Sequence, residues 1–467
     1  MMIDILAFLS LNFLLGFYLI LALQWYAYKF SRVFLHYAKP LWHLYFLIIP
    51  YFAFVFSAYN GNFYFYFIVF TLSLLYGGYL YKNLDKKLVF TARIKRYFLI
   101  LFVFSLIFMQ FYYTGLEALI ITFLVSFMVE KVNQKYFIKK ASKKIYENQK
   151  LKIILITASF GKTSIKNFLY EFLKNDYKCY KTPRSINTFM GIVKDINENL
   201  ENNTEIYIVE AGAREQNDIL EIAEFLNPQI CIVGEIGLAH LEYFKTQDNI
   251  RKAKLQALKS KRLEKYFLHS STLYKDEFYD ECLSDIRASL EGLDFKVRLD
   301  ENIYDFHANL LGAFNAYNIC VCILLAHYLG IKLENITKSV FNLKAVEHRL
   351  EVISKEPKFI IDDGFNGNFK GMSQSYELCK TYQGRRVLVT PGIIEVNDEE
   401  NIKLCEIINQ CFDFVIITSE VNSVLLQKYI TLDYHVVKEK SKLVQILAQY
   451  TKNGDLILFS NDAPNFM

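Results

Sequence analysis

The chain has 467 residues, 53% of them hydrophobic and 16% aromatic, with 53 Lys and Arg against 48 Asp and Glu and a formal net charge of +5. The apolar excess sits in the first 130 residues or so, and the remainder is long enough for about two globular domains. The net charge is small and the lysine-rich runs lie beside apolar segments, which argues against nucleic acid as a partner. The cysteines, at 179, 231, 282, 320, 322, 379, 405 and 411, form no CxxC pair and have no His at zinc spacing. They read as buried small hydrophobes in a reducing compartment.

Apolar stretches at about 5–27, 41–58, 62–81 and 97–129 come first, the last long enough for two spans broken near "YYTGLE". At about 20 apolar residues per helix they predict about five transmembrane helices within a membrane region of residues 1–145. A cleaved signal peptide fits badly, because no basic segment precedes the first stretch and further spans follow it. "YKFSRVFLHYAK", "YKNLDKKLVFTARIKR" and "EKVNQKYFIKKASKK" are basic, whereas "YNGN" and "YYTGLE" carry no Lys or Arg. By the positive-inside rule the N-terminus faces out and everything after residue 130 is cytoplasmic, with membrane lipid as a partner.

From residue 151 short β-rich runs alternate with helical periodicity. "KIILIT", "IYIVEAG", "ICIVGEIG" and "YFLHS" read as strands, and "TSIKNFLYEFLK", "NDILEIAEFL" and "NIRKAKLQALKS" as helices. This rhythm predicts an α/β domain with a mainly parallel sheet over 146–350. "KFIIDDG", "RRVLVTPG", "FDFVIITS" and "GDLILFS" begin a second alternation, a C-terminal Rossmann-like α/β domain over 351–467.

The stretch "LITASFGKTSIKNF", residues 155–168, is a strand running into a turn and then a helix. Backbone N–H groups of such a turn, here spanning Ser159, Gly161 and Ser164, face phosphate oxygens. Lys162 would neutralise β/γ charge and Thr163 would hold Mg²⁺ through its hydroxyl. The spacing is shorter than GxxxxGK[ST], and Ala158 stands where a first glycine would sit, so a chance turn competes with this reading. Ala158 can serve only where the local φ is negative and a methyl group fits beside the phosphates.

Further segments converge with that loop. "TASFGKT" resembles the TGxxGKT of the Mur ligases, ATP-dependent amide-forming enzymes of peptidoglycan synthesis. "VEAGAREQNDI" resembles their E-x-G-A segment, "GEIGLAHLEYF" their N-I-G-x-A-H-L-E-x-F, and "LLGAFNAYN" their L-x-G-x-H-N-x-x-N with Phe314 for His. "EHRLEV" is similar to the G-R-x-E junction with His348 for Gly. "DDGFNGNFKGM" is similar to the DDSYNANPxSM of members that add D-alanyl-D-alanine.

The resemblance implies roles residue by residue. Lys162 and Lys254 are catalytic, and Ser159, Gly161, Lys162, Thr163, Ser164, Asn315, Arg349 and Asp363 bind the nucleotide, with Asn315 at adenine and Arg349 and Asp363 at ribose and phosphate. Thr163, Glu210, His240 and Lys254, the last as a carbamate, hold Mg²⁺. Lys252, two residues from Lys254, leaves an ordinary solvated lysine as the competing reading of that helix, and Asn318 reads equally as helix packing. ATP phosphorylates a peptide carboxylate, and an amine then attacks the acyl phosphate. The implied substrates are a UDP-linked muramoyl peptide and D-alanyl-D-alanine, with other cell-wall synthesis proteins as further partners.

Two departures stand out. Family members begin with a domain that grips the UDP-sugar, whereas apolar helices occupy that place here. UDP recognition is therefore rebuilt from the inner loops and central domain, or substrate is presented at the membrane surface. The closing "LILFSNDAPNFM" lacks the Lys and Arg of the family's K-G-S-R segment. A ligase using another amine or acceptor, and a non-catalytic membrane scaffold with a decayed ligase domain, are the alternatives.

Overall fold

The computed structural model describes residues 2–462 apart from 27, 29–32, 34–40, 61–62, 85–86, 110–115, 185, 238–240, 275–276, 366, 395–397, 419 and 438. The chain forms two compact units, Met1–Ile138 and Lys139–Met467.

The first unit is helical. Helices α1 (Met2–Trp25), α2 (Leu41–Asn60, with a π-turn at Leu44–Ile48), α3 (Phe63–Lys82) and α4 (Ala92–Phe108) are followed by α5 (Leu116–Glu147). Helix α1 is the most enclosed, with Leu11, Leu15, Tyr18 and Leu21 fully buried. It approaches α4 closely at Gly16, where a Cβ would stand 2.5 Å from Leu101 Cδ2. The side-chain amide of Gln24 binds the Val89 backbone twice, its Nε2 donating to Val89 O and its Oε1 accepting the Val89 N–H, pinning the segment before α4. Outward faces carry exposed Phe52, Leu75, Leu99 and Met128, an apolar surface unlike that of a water-facing bundle. Among the described residues three helices, α1, α2 and α3, are long and apolar enough to cross a membrane. Of the five expected spans, the fourth falls on the 17-residue α4, which opens with Arg93, Lys95 and Arg96, and the fifth on the first half of α5. The expected break at "YYTGLE" lies largely outside the described residues.

The second unit begins with a parallel sheet in the order β2-β3-β1-β4-β5 (Cys179–Lys181, Ile206–Glu210, Lys152–Thr157, Ile230–Val233, Lys265–Leu268). The middle strands are continuous β-branched runs because helices cover both faces of such a sheet. Those helices include α6 (Lys162–Leu173), α7 (Phe189–Glu198), α8 (Asp218–Leu226), the short α9 (Leu241–Phe244) and α10 (Gln247–Leu255). Strand β1 lies between β3 and β4, where the strand order reverses, and ligands of such sheets sit beyond the carboxyl ends at that point. A three-stranded antiparallel sheet follows, β6 (Leu283–Ser289), β7 (Gly292–Leu299) and β8 (Asn302–Ala308), whose inward Leu293, Phe295 and Val297 share a core with α11 (Phe314–Tyr328). This meander was not expected from the sequence, because its outer face is charged and its alternation is short. Helix α12 (Leu333–Phe341) leads out of this part.

A second mainly parallel sheet has the order β13-β12-β11-β14-β10-β9, with only β9 (Glu351–Ser354) antiparallel at the edge. Its other strands are β10 (Phe359–Asp363), β11 (Arg386–Thr390), β12 (Phe414–Ile417), β13 (Tyr434–Val436) and β14 (Leu456–Ser460). Helices α13 (Phe369–Lys380), α14 (Asp398–Cys411), α15 (Glu420–Tyr429) and α16 (Leu443–Tyr450) pack on it. All eight cysteines are free thiols, six of them buried. The closing residues 463–467 lie outside the described part.

Candidate active site

Strand β1 delivers the chain to a turn whose last residue, Gly161, caps α6 with φ 79°. A side chain there would be strained and would meet Asn318 Oδ1 at 2.4 Å, so only glycine fits. Ala158 is not among the residues with left-handed φ, and its methyl packs where Gly234 leaves room, since a Cβ on Gly234 would be 2.9 Å away. The φ condition for alanine at this place is therefore met, and its methyl is accommodated against Gly234. Ser159 ties the turn to the segment after β4, its N–H bonding Glu235 O at 2.8 Å and its hydroxyl Gly237 O at 3.2 Å.

Lys162 curls back into its own loop, its Nζ donating to the carbonyls of Ala158 at 2.7 Å and Ser159 at 3.2 Å. Burial pushes its pKa down to about 8; Glu210 opposes that shift and Arg349 adds to it. At the end of β3, Glu210 is 1% exposed, and its Oε2 lies 3.0 Å from Nζ of the equally buried Lys166. Lys166 also donates to the carbonyl of Arg184, and Asn187 Nδ2 donates to Glu210 Oε1 at 3.3 Å. Burial lowers the Lys166 pKa while Glu210 holds it up.

Helix α10 separates the two lysines of the "RKAKLQ" segment. Lys254 is 3% exposed, and burial, with the Lys162 charge second, drives its ammonium well below the ordinary lysine range. Lys252 is exposed and paired with Asp248 at 2.8 Å. His240 lies outside the described residues.

The opposite wall comes from the junction before β9 and from the end of β10. His348 takes φ 61°, which explains why a glycine serves at this place in the motif it resembles. Its Nδ1 lies 2.6 Å from Asp362 Oδ2, and its ring meets Phe365 edge-on. Asp363 accepts the Leu350 N–H at 3.0 Å and the Ser375 hydroxyl at 2.9 Å. Arg349, between the charges of Glu210 and Asp363, has its pKa lowered by burial against the pull of both carboxylates. From the start of α13, Lys370 forms an ion pair with Glu235 across the opening.

These elements enclose a cleft of about 420 Å³, of the size that takes a nucleotide. Ser159, Gly161, Lys162, Thr163, Ser164, Glu210, Arg349 and Asp363 all line it. Lys254 and Asn315 are not among the lining residues; Asn315 is buried behind the wall, its Nδ2 donating to Leu311 O at 2.8 Å. Asn318, one turn on, does line the cleft, and so do His269 and Tyr317, whose rings stand 6.1 Å apart. His269 and Lys370 were missed because "YFLHS" reads only as a strand, and a lone lysine in a glycine- and asparagine-rich turn reads as solvated.

The donor chemistry fits Mg²⁺. The Thr163 hydroxyl and the Glu210 carboxylate are hard oxygen donors, and buried Glu210 Oε2 has no partner beyond the Lys166 ammonium. Among the described residues there is no cluster of three His, Cys, Asp or Glu. Mg²⁺ commonly uses one or two protein oxygens together with waters and substrate phosphates.

Fold and cleft together define an α/β core with a phosphate-loop cleft, and residues 156–326 match the Mur ligase middle domain. The chain carries that domain. It is similar to the UDP-N-acetylmuramoyl-tripeptide–D-alanyl-D-alanine ligase of Bacillus subtilis, 25% identical over 66% of this chain and 72% of that protein. The ligase of the same name from Borreliella burgdorferi is 28% identical over 48% of this chain and 51% of its own length. Among solved structures, the MurF ligase of Thermotoga maritima in complex with ADP has a TM-score of 0.59 at 22% identity, covering 71% of this chain and 80% of that one. A MurF structure from Acinetobacter baumannii gives 0.61 at 19%, over 70% and 78%.

Proposed function

We propose that the chain is an ATP-dependent ligase that joins D-alanyl-D-alanine to a UDP-linked muramoyl tripeptide. The names of its relatives support the substrates. The observation that carries the reading is the convergence of Lys162, Glu210, Arg349 and Asp363 on one cleft at the carboxyl ends of two sheets. In this reading the γ-phosphoryl group passes from ATP to an oxygen of the tripeptide's terminal carboxylate, releasing ADP. The dipeptide amine attacks the acyl carbon, the C–O bond to phosphate breaks, and amide, phosphate and one proton result.

Lys162 releases its loop carbonyls to meet the β- and γ-phosphates, and Arg349 adds charge from the other wall. Asn318, against Gly161, and the His269–Tyr317 pair line the same cleft, where they can hold a base. Thr163, Glu210 and a carbamylated Lys254, with His240, would hold Mg²⁺, which when bound supplies charge neutralisation to the transferring phosphoryl group. Burial of Lys254 supports the carbamate, because CO₂ reacts with the neutral amine.

The proposal extends to location. Alternating basic loops and the apolar surfaces of α1–α5 support a multi-pass protein of the bacterial inner membrane, with lipid around residues 1–145, domains 146–350 and 351–467 in the cytoplasm, and cell-wall synthesis proteins as neighbours. Reporter fusions after residue 145 test this, with activity of a periplasm-only reporter contradicting it. For the reaction, ADP release in membranes should need tripeptide and dipeptide together. Release supported by a different amine and not by D-alanyl-D-alanine would shift the substrate, and release with neither would remove the ligase reading.

A further inference from the structure

We propose that Lys166 is a resident counter-ion of Glu210 that makes divalent-cation binding in this cleft conditional on nucleotide. The inference rests on Glu210 being the metal-holding carboxylate of the proposed function.

Lys166 lies one turn beyond Lys162, on the face of α6 that also buries Ile165, Phe168 and Leu169. A lysine among such neighbours loses hydration and rotamer freedom, and it is tolerated there only with a partner. Its partners are the Arg184 carbonyl and Glu210, and both members of the ion pair are 1% exposed. Water therefore screens the pair little. The carboxylate's remaining described contact is the long bond from Asn187 to Oε1, and Oε2 has the ammonium alone.

The charge count around Glu210 follows. Its single negative charge is felt by Lys162, Lys166 and Arg349, with Asp195 acting on Lys166 and Asp363 on Arg349 as further anions, and Lys166 is the cation in direct contact with it at 3.0 Å. Asp363, on the far wall, is occupied by the Leu350 N–H and the Ser375 hydroxyl. Glu235 is already paired with Lys370. A free divalent cation arriving first would thus meet a Glu210 already neutralised by a buried ammonium, whereas a nucleoside triphosphate would bring its own negative charge and oxygen ligands for the metal. The metal then enters with the nucleotide, and Lys166 prevents Glu210 from trapping a cation in the empty site. A purely structural lysine, one that only fastens the loop at Arg184, would leave metal affinity unchanged when replaced by an isostere.

The experiment uses full-length protein in detergent and Mn²⁺ as the probe, with free Mn²⁺ followed by electron paramagnetic resonance. Wild type without nucleotide should show no saturable site, and adding it to Mn²⁺–ADP should enhance water-proton relaxation. Lys166→Met should gain a nucleotide-independent site that binds Mn²⁺ about tenfold more tightly than wild type or better, and Lys166→Met with Glu210→Gln should lose it. A saturable site in nucleotide-free wild type that disappears in Glu210→Gln overturns the proposal, and this arm decides the matter even where Lys166→Met fails to fold. A folded Lys166→Met protein without the gain overturns it too, while leaving the ligase reading in place. Absence of relaxation enhancement with Mn²⁺–ADP would instead remove the metal reading on which the proposal stands.

Discussion

On the side built by the parallel sheet, Glu210 in the wall and Lys166 and Lys254 behind it are each no more than 3% exposed, and the charges influence one another through desolvated surroundings. On the wall built by the second sheet, Arg349 and Lys370 reach the cleft from a junction and a helix start, and Lys370 keeps 63% of its side chain exposed while paired with Glu235. Buried charges are costly unless geometry holds them, whereas an exposed pair is worth about 0–1 kcal/mol. The difference assigns chemistry to the first wall together with Arg349, and to the exposed Lys370–Glu235 pair a contact across the cleft. It also orders the expected effects of mutation.

The strongest test of the first wall is Lys162→Ala. The lysine touches loop carbonyls and no apolar core, so the variant should fold and insert while turnover falls about a hundredfold to a thousandfold. ATP-dependent product formation in membranes matched for protein level measures it. Near-normal turnover would move the phosphate site elsewhere. Next, Lys254→Ala should lose about a hundredfold in activity, partly restored by a small carboxylate at high concentration that fills the vacated space. Lys252→Ala, on the solvent side with Asp248, should be nearly silent. The reverse pattern would mean that the helix presents the other lysine to the reaction.

The pH dependence of nucleotide binding sharpens the same wall. Phosphates favour charged Lys162, whose pKa in the free protein lies at about 8. Affinity should be level below that pH and fall above it, by up to about tenfold per pH unit, and the slope should vanish in Lys162→Ala. The sign for stability is opposite. Between about 8 and the ordinary lysine value the unfolded chain holds more protons, so this group's contribution to the stability of nucleotide-free protein rises with pH there. Calorimetric titration across that window, against the variant, measures both.

The second wall should respond least. Lys370→Ala should change the KM for ATP by less than about fivefold, and added salt should erase the difference, as for an exposed ion pair. Exchanging the charges, Glu235→Lys with Lys370→Glu, should restore wild-type behaviour if the pair only closes the cleft. Failure of the exchange to restore it would mean that Lys370, like Arg349, touches phosphate.

Much of this was legible in the residues. "KIILIT" coincides with β1 because a central parallel strand must be apolar on both faces, and "GKT" with its left-handed glycine announces the turn after it. Glu210 and Asp363 stand at strand ends, where a continuous apolar run stops on a carboxylate. The ion pair between Lys166 and Glu210 was not legible, since a lysine four residues beyond another on a helix reads as a solvated face, and its burial depends on the 206–210 strand folding beside it. The depths of Asn315 and Asn318 were equally hidden: three residues apart on α11, they exchange wall and interior according to how that helix is rotated against Gly161. In the first unit the composition marks the apolar helices, but the close approach at Gly16 appears only once α1 and α4 are packed.

The central claim is that one cleft phosphorylates a carboxylate and passes the acyl group to an amine. Supplying the muramoyl tripeptide with ¹⁸O in its terminal carboxylate, together with ATP and D-alanyl-D-alanine, and reading the released phosphate by mass spectrometry tests it most directly. The account predicts that each amide formed is accompanied by one phosphate bearing one ¹⁸O, in wild type and not in Lys162→Ala. Amide formation with unlabelled phosphate, or labelled phosphate undiminished in the variant, would contradict it.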